Sequence, residues 1–391
     1  MNSTSGTPTQ APVQAQPKAT ICHITTVHTP TDTRIYHKEC LSLARAGYDV
    51  HLVAPADVGK QLSQVHLHAI PRHKGRLARM LLGPWQAYGQ VLDITPRPQV
   101  CHLHDPELLP IGQLLRLRGF KVIFDVHENI SDDFRSKTYL PRLLRPIVAW
   151  TYQISERFLT RGMPTVHVLN SIAARYLGRK IVLRNLPNRQ APFTPGRSDP
   201  ACPRLVYIGA ITRDRCAPEM VRVAGELRRR GQAVQLWLIG PVTEPGLDEE
   251  LRRLIADENV ADSVVITGNL PREQALAEMA KASIGLCLFA PVPNNLNSLP
   301  TKICEYMQAG LPVVASHFEC WREYLIDTGS GVQVDPLDVS AIASAVQSLL
   351  ADPQKMAAMG EAGSRAVQAE LCWENEEPKL LDFYRNLLAG R

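Results

Sequence analysis

Residues 294–316 read NNLNSLPTKICEYMQAGLPVVAS, and the order of residue types in that run admits few folds. A polar loop ends at Ser298-Leu299-Pro300, and Thr301 to Gln308 suits a short helix. Gly310 suits the left-handed residue that closes it, and Leu311-Pro312-Val313-Val314-Ala315 reads as a buried parallel strand. Ser298 is expected as the N-cap and Pro300 in the first turn. Loop, helix, turn and buried strand in this order belong to an α/β fold with a parallel sheet.

Such a helix start presents free backbone N–H groups and the positive end of the helix dipole, and both bind phosphate. Lys302 adds a cation in the first turn, where the dipole disfavours it unless an anion sits nearby. Glu305, one turn in, offers a carboxylate that can accept two hydrogen bonds from a vicinal diol such as a ribose. Phosphate donors and a diol acceptor together describe a nucleotide site. The same residues also suit an ordinary βαβ connector, with Glu305 favoured near a helix start.

The start of the chain repeats the α/β pattern. Thr20 to Val27 reads as a first strand, Arg34 to Gly47 as an amphipathic helix, and Asp49 to Ala54 as a second strand, which makes a βαβ unit. The first turn has no GxGxxG, so ordinary dinucleotide binding is disfavoured. Further strands are expected at Val65 to Ile70, Gln99 to Leu103 and Phe120 to Val126. The last two end in His104-Asp105 and His127-Glu128, at the sheet edge where open α/β sheets bind ligands. Asp32 and Arg34 either line that edge or are a capping Asp beside an exposed Arg. Short strands at Thr165 to Leu169 and Ile181 to Leu183 come next, with Ser171 as the cap of the helix between them. Residues 185–203, rich in Pro, Asn and Arg, read as a linker. Strands at Arg204 to Gly209, Ala233 to Ile239, Ser263 to Thr267, Ser283 to Phe289 and Gly329 to Val334 then give a second α/β domain.

Totals narrow the class. The 391 residues suffice for two domains with full cores. No run approaches the ~20 apolar residues of a membrane span. Residues 1–19, polar and Pro-rich, read as a disordered leader and not a signal peptide, which places the protein in the cytoplasm. Nine scattered cysteines, several in apolar runs (Cys22, Cys101, Cys287, Cys304), are expected as buried thiols and not as a zinc or disulfide framework. Residues 1–190 carry 24 Lys and Arg against 12 Asp and Glu, whereas the rest of the chain is acidic overall. A basic first half suggests an anionic partner. Arg72 to Trp85 and Arg142 to Tyr152 mix cations with Leu, Met and Trp, as an interfacial helix does, so an anionic membrane surface is expected and nucleic acid is not.

The 294–316 run resembles the donor-site signature of family 4 glycosyltransferases of the GT-B fold. That signature is a Glu, seven residues, a second Glu, then a strand opened by a small residue, Gly, any residue, Pro and Val. Glu305 matches the second Glu, and Asn297 stands where the first belongs. The resemblance covers nearly the whole chain after residue 20. It implies two Rossmann-like domains facing across a cleft, residues 20–184 and 204–370, with residues 371–391 as a helix crossing back to the first. The N-terminal D-T-R-I resembles one branch of the family.

By that resemblance Glu305 would hold the ribose, and His127 and Asn297 the donor sugar. Arg215, at the family's Lys position, would meet the diphosphate with Arg213 or Lys302 and the helix N-terminus, since Ala210 occupies the usual Arg position. Gly209, Gly268, Leu270, Ser298, Leu299 and Lys302 would line the donor, and Asp32, Arg34, His104, Asp105 and Glu128 the acceptor side. His127, Arg215 and Glu305 are the implied catalytic residues. The implied activity is retaining, metal-independent transfer of a sugar from a UDP- or GDP-sugar to a glycan or lipid-linked acceptor, without a cofactor. Exopolysaccharide or cell-envelope synthesis, peripheral to the inner face of the membrane, would suit it. A non-catalytic partner of another transferase and a nucleotide-sugar epimerase remain as alternatives.

Overall fold

The structure is a computed structural model and describes residues 17–126, 141, 143–189, 199 and 201–390. Its strands fall into two sheets in which every described pairing within a sheet's strands is parallel. The first contains β1 (Thr20–Ile24), β2 (Asp49–Pro55), β3 (His66–Ile70), β4 (Val100–Leu103), β5 (Lys121–Val126), β6 (Thr165–His167) and β7 (Lys180–Val182), in the order β3-β2-β1-β4-β5-β6-β7. The second contains β8 (Arg204–Ile208), β9 (Gln235–Ile239), β10 (Val264–Ile266), β11 (Ile284–Cys287), β12 (Val313–Ser316) and β13 (Gly331–Val334), in the order β10-β9-β8-β11-β12-β13. By contact the chain forms two compact units: residues up to Asp125 with Tyr384–Arg391, and Val126–Phe383.

Each sheet reverses its winding once, between β1 and β4 in the first and between β8 and β11 in the second. Loops leaving neighbouring strands at a reversal part to opposite faces and leave a crevice beyond the carboxyl ends. The sheets are covered on both sides, so strand residues are buried irrespective of parity: all of β1, β4, β11 and β12 is buried. The apolar core of the second unit is built from strand residues such as Leu205, Leu238, Leu286 and Val314 and helix residues such as Met220, Leu227, Met307 and Val346.

Local chemistry sets the element ends. The helix Thr301–Gln308 has the expected bounds, and Gly310 lies just past it at φ +69°. Its N-cap is Pro300, not Ser298: the Ser298 hydroxyl donates back to the Asn295 carbonyl (3.0 Å), and no side chain caps this helix. Ser171 is likewise inside the turn Asn170–Ala173 and not its cap, which is Leu169. Helices Leu247–Asp257 and Arg272–Met279 also belong to the second unit.

The expected helix from Arg34 to Gly47 has a different shape. Ile35–Cys40 winds as a wide π-type turn before the α-helical Leu41–Arg45. The widening changes which residues face inward, so Arg34, Lys38 and Glu39 are buried. Arg34 is therefore not the exposed side chain of a capped helix start. Asp32 does act as a cap, its Oδ1 accepting from the N–H groups of Arg34 (2.8 Å) and Ile35 (2.9 Å).

The basic stretch beginning at Arg72 forms a helix over Arg76–Asp93, with Pro84 inside it. Leu77, Leu81, Leu82 and Trp85 are exposed along it. Helix Arg145–Leu159 exposes Ile147, Trp150, Ile154 and Phe158. No helix among the described residues is long and apolar enough to cross a membrane. All nine cysteines are free, and Cys22, Cys101, Cys287 and Cys304 are buried as expected.

Candidate functional site

The crevice of the second sheet is framed by the loops that leave β8 and β11. Gly209 leaves β8 at φ +128°, and a Cβ there would stand 3.1 Å from Lys302 Nζ. Gly240, leaving β9 at φ +146°, lies so close that a Cβ would sit 2.0 Å from the Gly209 carbonyl oxygen. Two glycines at left-handed angles thus let the backbone close around the ammonium of Lys302.

Lys302 and Arg215 converge on one aromatic group. Lys302 Nζ lies 3.8 Å from the Tyr207 ring centre and 5.1 Å from that of Phe289, over which the Arg215 guanidinium stacks at 3.6 Å. Both cations are half-buried, and neither has a carboxylate ion-pair partner among the described residues. Burial, with repulsion from Arg215 added, pulls the Lys302 ammonium down to about 7. Two partly desolvated cations beside a helix N-terminus whose first N–H groups lack a side-chain cap make an anion site.

Glu305 is half-buried, 3.3 Å from Arg272 Nη2. Gly268 (φ +69°) bridges to Gly240 across β9 and β10. Leu270 and Leu299 are partly buried against the core. Asn297 is half-buried at the end of the turn Pro293–Leu296, and the Ser298 carbonyl accepts from Trp321 Nε1 (2.6 Å).

Arg213 takes a different course. It is held by Glu244 (2.8 Å) and Glu250 (2.5 Å). Two carboxylates saturate its guanidinium, so the structure brings Lys302, and not Arg213, to Arg215. The position of Lys302 in the first helical turn was the legible signal for this pairing.

In the first unit the singled-out residues turn inward. Asp105 is 2% exposed, and its Oδ2 accepts from Thr25 Oγ1 (2.7 Å), Thr26 N (2.6 Å) and Val27 N (3.3 Å). His104 is buried with its Nε2 2.8 Å from His23 Nδ1 and its Nδ1 3.4 Å from Asp125 Oδ2. Arg34 clasps Asp125 through Nε (3.0 Å) and Nη2 (3.1 Å). Arg34, His104 and Asp105, expected at a ligand-facing edge, are thus partners of the chain's own groups, because the loop after β1 folds over them. Among the described members of that set Asp32 is partly exposed, and its carboxyl is held low against the cost of burial by bonds from His28 and the Ile35 and Arg34 N–H groups. His127 and Glu128 lie outside the described residues. Sequence reading missed His23, His102, Glu39, Asp125 and Tyr384, which join this cluster.

The family model "Glycosyl transferases group 1" matches residues 195–366, and "Glycosyl transferase 4-like domain" matches residues 36–192. A GDP-mannose-dependent α-(1-6)-phosphatidylinositol monomannoside mannosyltransferase of Mycolicibacterium smegmatis is 32% identical over 191 residues, 48% of each chain. The chain therefore matches about half the length of such curated relatives. An α-D-kanosaminyltransferase of Streptomyces kanamyceticus is 23% identical over 290 residues, covering 70% of this chain and 72% of that one. In three dimensions, sucrose-phosphate synthase from Thermosynechococcus elongatus superposes with a TM-score of 0.75 at 19% identity, covering 96% of this chain and 100% of the other. Anabaena HepE in complex with UDP and glucose superposes at 0.70 and 13% identity, covering 94% and 99%. With both family matches and the two parallel sheets, the chain belongs to the group 1 glycosyltransferases, family 4, of the GT-B fold.

Proposed function

We propose that the protein moves a sugar from a nucleotide-sugar donor to a hydroxyl of a glycan or lipid-linked acceptor, with retention at the anomeric carbon. One observation carries the reading: Arg215 and Lys302 stand together at the winding reversal of the second sheet, and neither forms an ion pair with a carboxylate among the described residues. A diphosphate supplies the missing charge. The bond from the anomeric carbon to the diphosphate oxygen breaks, the acceptor oxygen bonds to that carbon, and the departing oxygen keeps the electron pair and takes up the acceptor hydroxyl's proton. Cations fixed where that charge develops lower the barrier.

In this reading Glu305 takes the ribose diol, which requires Arg272 to give up its ion pair. Backbone around Gly268 and Leu270 meets the base, and Asn297 offers its amide to the sugar. His127 keeps its assignment to the sugar, and Glu128 to His127 or the acceptor. A GDP-sugar is favoured as donor because the M. smegmatis relative is named for GDP-mannose, with a UDP-sugar next. The exposed apolar residues on the Arg76–Asp93 helix, next to exposed Arg72, Lys74 and Arg76, support an acceptor presented at an anionic membrane surface.

The test is nucleotide release. The protein is incubated with GDP- and UDP-sugars, with and without membrane lipid extract, and free GDP or UDP is measured. Release from one donor that rises with lipid is expected. Tight GDP or UDP binding without turnover of any donor would replace the reading with a non-catalytic partner role. Conversion of the sugar with no nucleotide released would make it an epimerase.

A further inference from the structure

The first unit holds a polar cluster that sugar transfer does not use. His23 on β1 is paired in register with His102 on β4, and His104 lies just beyond β4. Glu39 reaches them from the wide turn Ile35–Cys40. One ring nitrogen from each histidine and one Glu39 oxygen all lie within 4.8 Å of one another. All four residues are at most 2% exposed. Glu39 Oε2 is 3.9 Å from His23 Nδ1 and 3.8 Å from His102 Nδ1, and neither Glu39 oxygen has a hydrogen-bond partner among the described residues. Arg34 Nε, 3.1 Å from Glu39 Oε1, is ion-paired with it and shared with Asp125. His102 contacts the Tyr384 hydroxyl through Nδ1 (2.8 Å), while its Nε2 has no hydrogen-bond partner among the described residues.

We propose that His23, His102, His104 and Glu39 hold one divalent transition ion, zinc by the chemistry of the donors. Three imidazoles and a carboxylate are a closed four-ligand set. At zinc–ligand distances of ~2.0–2.1 Å, tetrahedral ligand atoms stand about 3.4 Å apart. His23 Nδ1 and His104 Nε2 stand 2.8 Å apart, Glu39 Oε2 stands 3.8 Å from His102 Nδ1 and 3.9 Å from His23 Nδ1, and the whole set lies within 4.8 Å, close enough for small shifts to close it on one ion. His104 turns Nε2 toward His23 and Nδ1 toward the Asp125 carboxylate, 3.4 Å away. Four buried protein ligands leave no open position, so the ion ties β1, β4 and the wide turn together and performs no chemistry.

The test uses the full chain purified without a histidine tag. Elemental analysis is expected to find about one zinc per chain. Removal by chelator lowers the Tm, and zinc restores it by at least about 5 °C. Cobalt in place of zinc gives the intense visible bands of a four-coordinate site. Glu39→Gln and His104→Gln weaken cobalt binding at least about tenfold, whereas substitution of the exposed His66 by Ala (His66→Ala), in the separate set Asp49, His51 and His66, does not. No zinc-dependent shift in Tm, a six-coordinate cobalt spectrum, or loss of the ion in His66→Ala with retention in Glu39→Gln would each overturn the proposal. The cobalt spectrum of the unsubstituted protein decides even where the variants fail to fold.

Discussion

The two sheets reverse their winding in the same way, yet the chain treats the two crevices oppositely. In the first, the Asp105 carboxylate lies beyond β1 and β4 and accepts the hydroxyl of Thr25 and the N–H groups of Thr26 and Val27. The donors that a parallel sheet offers to an external anion are there answered by the chain itself. In the second, Lys302 and Arg215 stand against Tyr207 and Phe289, and no carboxylate among the described residues answers them. A shared architecture therefore does not imply a shared ligand. What decides is whether the chain supplies its own counter-charge.

That contrast can be broken from either side. The largest effect is expected in the first unit. Asp125→Asn removes the carboxylate that Arg34, 5% exposed, clasps through two nitrogens, with Glu39 still 3.1 Å away. A loss of about 3–5 kcal/mol of stability is expected, read by denaturant unfolding. A loss below about 1 kcal/mol would mean that the cluster does not hold that unit together. In the second unit, Arg215→Ala should lower kcat/KM for the nucleotide sugar about 100- to 1,000-fold with little change in Tm. Comparable losses in both quantities would make Arg215 a structural residue.

The ionisation of Lys302 sharpens the comparison. Its ammonium is pulled down to about 7, so above that pH the ligand-free side chain is neutral. A bound diphosphate favours the charged form, and binding must then take up a proton. Affinity for GDP or UDP is expected to fall by up to about tenfold per pH unit as pH rises above 7. Below 7 the side chain is already charged and contributes no slope. Lys302→Met should flatten the profile, which calorimetry in buffers of different ionisation enthalpy can check. Without a ligand the sign concerns folding: the unfolded chain holds this proton more firmly, so stability gains from Lys302 as pH rises above 7.

Smaller effects are expected at the edges. Tyr384→Phe removes the hydroxyl that bridges His102 and His23 (2.8 and 3.3 Å) and should cost about 1–2 kcal/mol. Arg272→Ala breaks an ion pair whose Arg side chain is 63% exposed. The pair is worth under about 1 kcal/mol, and its loss frees Glu305, so donor affinity should hold or rise slightly. A clear fall would assign Arg272 to the donor.

Much of the fold is legible in the residues themselves. The Thr301–Gln308 helix follows from Pro300 and Gly310, and Lys302 and Glu305 keep the helix positions that made them candidates. The strands of both sheets lie where apolar β-branched runs end in Gly or polar residues. The inward cluster was not legible, for a physical reason. A sheet covered on both faces buries all four residues of β4, so alternation cannot tell that His102 points into a core. The π-type turn at Ile35–Cys40 shifts the helical period and brings Glu39 and Lys38 inside, which a 3.6-residue reading places elsewhere. Arg213 and Arg215 look equivalent in AITRDRC; only folding brings Glu244 and Glu250 to the first and Phe289 to the second.

The most direct measurement compares GDP and UDP with their nucleosides for binding to the unsubstituted protein and to Arg215→Ala. If the second crevice exists for an external diphosphate, a diphosphate binds the unsubstituted protein far more tightly than its nucleoside, and Arg215→Ala removes most of that difference. Equal affinity for nucleoside and diphosphate, unchanged by Arg215→Ala, would contradict the account.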